Sequence, residues 1–261
     1  MSTKPSTHRT PAVQCRICVV PTSPALVTEL SPADTASAHI LHAVRDILRQ
    51  LVDDCAPSQQ PVTEIVLLGS QAQDWRTEHR GSLRAWGANS IQLADGYYLA
   101  ELVMRYLCGD YEPLISASYS SFAELESHPV QPGTLVLLGI DGSAGLGPRA
   151  PLAELAHAPQ ADRWARWLLG DDESSTDAGG APNTQLPALP RSQQLHDAGI
   201  WEPALWLELA QLNARGDLAD MQLRHVDTSH GVARYIATGL LATRPASAGA
   251  ESDVADPTAA E

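Results

Sequence analysis

The sequence predicts an α/β fold: three-layered, with helices on both faces of a mostly parallel sheet. Three observations carry this. Thr134–Ile140 (TLVLLGI) is, apart from Gly139, a run of β-favouring apolar residues with no polar alternation after Thr134, as expected of a strand covered on both faces. Val62–Leu68 is a second strand of the buried type, ending at Gly69-Ser70. Helical stripes accompany these runs, the clearest being Ile40, Leu41, Val44, Ile47, Leu48 and Leu51 on one face.

In chain order, residues 1–11 are polar and form a frayed leader ahead of a single domain over residues 12–242. Ala12–Val20 reads as the first strand, stopped by Pro21-Thr22-Ser23-Pro24. Ser31-Pro32-Ala33-Asp34 has the form of a helix start, with Ser at the cap, Pro in the first helical position and an acid three residues after the cap. Pro57–Pro61 is a loop. Asp74–Gly87, with Trp75, Arg76, His79, Arg80 and Trp86, lacks clean periodicity and reads as a long loop over the strand ends. Tyr97–Leu107 is a helix, Leu114–Ala117 a short strand and Ser121–Glu126 a helical turn. Pro159–Leu169, Ser192–Ala198 and Trp201–Leu212 are further helices. Residues 170–190, acidic and then rich in Ser, Gly, Ala and Pro, read as a mobile insertion. Val232–Leu240 fits strand or helix, with a lean to strand at its start. Residues 243–261 form a disordered tail by composition.

Composition narrows the function classes. A formal charge of −14 disfavours nucleic acid and anionic membranes as partners, because both are bound through clustered Lys and Arg. Hydrophobic residues reach 44% of the chain, yet only one is Phe, so the core must rest on Leu, Val, Ile and Ala. Cys15-x-x-Cys18 has no second CxxC to complete a metal site and lies inside a strand rather than at a helix N-terminus. Cys15, Cys18, Cys55 and Cys108 are therefore read as ordinary thiols. With neither a signal peptide nor a long apolar span, the expected compartment is the cytoplasm.

The strand Thr134–Ile140 breaks into Asp141-Gly142-Ser143-Ala144-Gly145-Leu146-Gly147. Open α/β sheets bind ligands at such C-terminal strand ends, and the expected pocket is lined by Thr22, Ser70, Asp141, Gly142, Ser143 and His230. The hydroxyls in that set, with Trp75 and Trp86 nearby, suit a small polar or aromatic ligand.

Several stretches resemble the class III extradiol ring-cleavage dioxygenases, specifically small bacterial proteins similar to the catalytic subunit of that class. These are Val20–Val27 (VPTSPALV), Val66–Ser70 (VLLGS), Gly139–Ala144 (GIDGSA) with Ala150-Pro151, and His230–Tyr235 (HGVARY), together spanning roughly residues 13–242. The resemblance implies Fe(II) held by two His and one carboxylate. It also shows departures. Thr22 stands where the first His ligand belongs, Ser70 and Gln71 occupy the second strand end, and Ala144 replaces the acid/base His. The resemblance therefore implies a retained scaffold without ring-cleavage activity, binding a small molecule or a protein partner. No resident cofactor is expected, Fe(II) being the ion to look for if the family activity survives. Homo-oligomerisation is left open.

Three other chemistries are compatible with the residues. Asp141–Gly145 is one residue short of a nucleophile elbow, giving a serine hydrolase with Ser143 as nucleophile and Asp227 and His230 as helpers. Gly142, Gly145 and Gly147, with Arg149, would suit an anion. A new metal site would draw on His79, His225, Asp227 and His230, and a metal-dependent oxidoreductase (dioxygenase) with non-standard, unassigned ligands is the alternative function.

Overall fold

The computed structural model describes residues 13–53, 60–128, 130–171 and 190–243. The expected leader, the tail, nearly all of the expected insertion and Cys55 lie outside these residues.

Strands β1 (Val13–Val20), β2 (Glu64–Gly69), β3 (Ile115–Tyr119), β4 (Thr134–Gly139), β5 (Leu218–Asp227) and β6 (Arg234–Thr243) form one sheet in the order β3-β2-β4-β1-β6-β5. The first four in that order are parallel, whereas β6 runs antiparallel to β1 and β5 antiparallel to β6. The fold is α/β with a mostly parallel sheet. Among the described residues no helix is long and apolar enough to cross a membrane.

β4 is buried at all six positions, which is why it reads as unbroken apolar sequence. Alternation along β1 divides the interior in two, because successive side chains leave a strand on opposite faces. Ile17 and Val19 join Val136 and Leu138 in one core, with Phe122 of α3 (Phe122–Glu126), Trp164 of α4 (Ala158–Leu168), Leu195 of α5 (Ser192–Asp197) and Trp206 of α6 (Ala204–Ala214). Cys18 and Val20 join Leu67 and Leu137 in the other, with Val44 of α1 (Thr35–Val52) and Leu102 of α2 (Leu99–Cys108). The helix after β1 and the helices after β4 thus pack into different cores although β1 and β4 are neighbours. Where adjacent parallel strands send their connections to opposite faces, the chain leaves a crevice at their C-terminal ends.

Two elements differ from the sequence expectation. Helix α1 begins at Thr35, not beside Ser31. Asp34 is the cap, its Oδ1 accepting from Ser37 N at 3.0 Å and its Oδ2 from the Ser37 hydroxyl at 2.6 Å. Asp34 also lies 3.0 Å from His230 Nε2, a partner 196 residues away that no local pattern reveals. Val232–Leu240, which fitted strand or helix with a lean to strand at its start, runs into β6, and β6 forms a hairpin with β5. β5 is an edge strand with one paired neighbour, and its register shifts between Ala219 and Gln222, which blurs the period-two signal.

Candidate functional site

A cavity of about 280 Å³ opens at the C-terminal ends of β1, β2 and β4. Thr22, Ser70, Asp141 and Gly142 line it, as the strand ends predict, and so do Trp75 and Trp86. Its floor is built around one polar pair. Thr22 N donates to Asp141 Oδ1 at 3.1 Å, and the Thr22 hydroxyl donates to Asp141 Oδ2 at 2.5 Å. These bonds tie the end of β1 to the end of β4 across the crevice. Burial pushes the Asp141 carboxyl above its ordinary value. The Thr22 hydrogen bonds and the Arg234 charge oppose that rise, and the negative charge of Glu202 adds to it.

No protein-family model matches this chain, and no curated protein matches it significantly. Its function has to be read from the site.

Three connections contribute to the walls. Trp75 and Trp86 end two short 3-10 turns in the segment between β2 and α2. That segment is knitted together by Gly81 N to Gly96 O at 2.8 Å, Leu93 N to Gly81 O at 2.7 Å, and a two-pronged Arg80–Asp95 pair at 2.7 and 2.9 Å. Gly81 is required there: at φ +63° a Cβ would sit 2.3 Å from Leu93 O. The expected long loop is therefore a braced platform holding two indoles over the strand ends. Trp201 and Glu202 enter from the α5–α6 connection, Leu205 from the first turn of α6, and Val232 from the β5–β6 turn.

Trp206 holds the Asp141 loop from behind. Its indole N–H donates to Asp141 O at 2.8 Å, and its ring is fully buried between Trp164 and Tyr235, each 5.9 Å away between centroids. The Tyr235 hydroxyl donates to Asp162 Oδ1 at 2.5 Å. Close approach sets the backbone here as well. A Cβ on Gly142 would fall 2.6 Å from Ala233 Cβ and 2.8 Å from Ala233 O, so only glycine lets β4 exit beside β6.

Ser143 and His230 are not in this cavity. Ser143 is buried, its hydroxyl donating to Ala198 O at 2.5 Å and accepting from Gly145 N at 3.0 Å. The proposed helpers are engaged elsewhere, Asp227 with Arg234 at 2.5 Å and His230 with Asp34. This arrangement forms no nucleophile–base pair. Past the end of β4 the strand's alternation no longer holds: Asp141 lines the cavity while Ser143, two residues on, lies behind the loop, which sequence alone does not distinguish.

His230 instead lines a more open hollow of about 720 Å³ beside Asp34 and Arg234. There Arg234 Nη1 donates to the Ser37 hydroxyl at 2.6 Å, which donates in turn to Asp34. The chain Asp227–Arg234–Ser37–Asp34 joins the hairpin to the start of α1. Burial works against an ionised Asp34, but the hydrogen bonds from Ser37 and His230 more than offset it and hold the carboxyl well below the usual range.

The glycine turn offers no anion cradle. Gly142 N donates to Ala233 O, Gly145 N to Ser143 Oγ, and Gly147 N to Gly145 O, so all three amides are engaged internally. Among the described residues no group of three or more His, Cys, Asp or Glu is placed to hold a metal ion, the set His79, His225, Asp227 and His230 included. The cavity itself contributes two carboxylates and three hydroxyls but no imidazole, a donor set that does not fit the two-His, one-carboxylate Fe(II) arrangement. Cys15 and Cys18 point into different cores, and burial pushes both thiols up to about 12, as it does Cys108. Neither a redox pair nor shared metal ligation is open to them.

Sequence reasoning missed Trp201 and Glu202 as site residues, having placed them in the first turn of a helix. The available signal was Trp201-Glu202-Pro203, a bulky ring and an acid just ahead of a proline that starts a helix.

Proposed function

We propose that this chain is an extradiol dioxygenase-like scaffold that has lost ring cleavage and binds a small molecule at the C-terminal ends of its parallel strands. One observation carries the reading. The cavity lies at the crevice between β1 and β4, and Thr22, at the position of the family's first imidazole ligand, donates both its amide and its hydroxyl to Asp141. A residue so used leaves the strand end shaped for a ligand rather than for iron. The volume suits a compact ligand with one ring, at the lower end of the usual range for small-molecule sites. A bacterial cytoplasmic setting goes with the same reading, since its thiols are kept reduced there.

The test combines reconstitution and screening. Purified protein is incubated anaerobically with Fe(II), desalted, analysed for metal and assayed for oxygen uptake with catechol. A library of small aromatic and polar compounds is screened in parallel by ligand-observed NMR. The expected result is no retained stoichiometric iron, no oxygen uptake above free Fe(II), and hits that are lost in Trp86→Ala. Stoichiometric iron with catechol-dependent oxygen uptake would overturn the reading, as would hits indifferent to Trp86→Ala.

A further inference from the structure

Building on the ligand-binding reading above, we propose that the ligand of this cavity is an organic cation, an amine or quaternary ammonium carried on an apolar body. The lining includes two carboxylates, Asp141 and Glu202, but no Lys, Arg or His. The guanidinium whose charge acts on Asp141, that of Arg234, lines the neighbouring hollow and is bound to Asp227 and Ser37. Thr22 hydrogen-bonds one of the two acids, but no positive charge in the cavity wall offsets either. An anionic ligand would meet like charge on entry, and a neutral one would leave the pair as it is. A cation relieves both at once.

The aromatic lining points the same way. Trp75, Trp86 and Trp201 all border the cavity. Among the described residues only three large apolar side chains are exposed, and two of them are Trp75 at 45% and Trp201 at 61%. Leaving two indoles in water at the mouth of one acidic cavity has a chemical use, because indole presents the most favourable aromatic face to a cation within about 6 Å. Leu99, Ile140 and Leu205 supply an apolar surface for the body of the ligand. The chain's −14 formal charge would draw cations toward it over a longer range.

The test is isothermal titration calorimetry of the full chain at fixed ionic strength with three probes of one shape class: benzyltrimethylammonium chloride, benzyl alcohol and sodium benzoate. The cation is expected to bind at least about tenfold more tightly than the alcohol, and benzoate not to bind. Glu202→Gln, at a partly exposed position that folding tolerates, should weaken the cation about fivefold, the upper range for a solvent-screened ion pair, and leave the alcohol unchanged. Trp201→Ala provides a second, independent variant and should also weaken the cation. Equal or tighter binding of benzyl alcohol, with Glu202→Gln indifferent, would overturn the cation and leave a neutral small-molecule site standing. Binding of none of the three would overturn both this inference and the reading beneath it.

Discussion

Thr22 and Asp141 lie 119 residues apart in sequence, yet the amide and hydroxyl of the first both donate to the carboxylate of the second, at 3.1 and 2.5 Å. That pair closes the gap between the two parallel strands whose connections pass to opposite faces of the sheet. It also leaves a partly buried acid facing the cavity, with Glu202 as a second negative neighbour.

Stability should register this acid. The folded-state pKa of Asp141 is raised, so folding favours its protonated form. Its contribution is fully present below the ordinary carboxylate pKa and is lost as pH rises through the raised folded value. Asp141→Asn keeps an oxygen for Thr22 N and removes the charge. The variant should therefore gain stability relative to the parent above the folded pKa and lose that advantage below pH 4. Urea unfolding across pH 3 to 8 measures it, and a constant offset across that range would refute the assignment.

Gly142→Ala should cost about 1–3 kcal/mol, because the new methyl collides with backbone and Cβ of Ala233 and with the Tyr235 ring, none of which swings aside easily. Gly147→Ala gives a contrast. A Cβ there meets nothing within 4 Å, and the only penalty is that of φ +102°. Paired denaturation curves, with loss of ligand binding expected only for the Gly142 variant, distinguish steric crowding from backbone strain.

Asp34→Ala removes the cap of α1 and one end of the chain through Ser37 to Arg234. A loss of about 1 kcal/mol is expected at neutral pH from the cap itself. The Asp34 pKa is depressed in the folded protein, so its stabilisation is present above the ordinary carboxylate pKa and lost as pH falls through the folded value. The difference between parent and variant should accordingly shrink below pH 4. A difference that grows on acidification would place the stabilising charge elsewhere.

Thiol accessibility checks the assignment of the cysteines. Cys15, Cys18 and Cys108 are free, buried and, by desolvation, far less acidic than ordinary thiols. In a Cys55→Ser background, Ellman's reagent should find no fast-reacting thiol in the native protein and three after unfolding. A Cys15–Cys18 disulfide trapped under mild oxidation would contradict their placement in separate cores.

Much of the scaffold was legible in the sequence because its signals are local. The unbroken apolar run of β4, the single-face stripe of α1 and the prolines after β1 each follow from burial or backbone geometry over a few residues. So did the site's position: Thr22, Ser70, Asp141 and Gly142 are strand-end residues, and parallel strands bring their C-terminal ends together. Trp75 and Trp86 were found for the same reason, lying in the long connection that follows β2.

Other assignments depended on which direction a side chain takes after the strand ends, where neither period two nor period 3.6 applies. Asp141 turns into the cavity and Ser143 behind the loop because Trp206, Ala198 and Ala233 hold the backbone between them. His230 was drawn to Asp34 by a helix cap formed early in the chain. Trp201 and Glu202 reached the site through packing of α5 and α6 into the core behind it. The amino-acid sequence by itself determined an α/β sheet and the end of it at which the cavity opens. Only the tertiary structure decided which side chains share the cavity, because those contacts are made between distant segments whose mutual approach is set by packing in two separate cores.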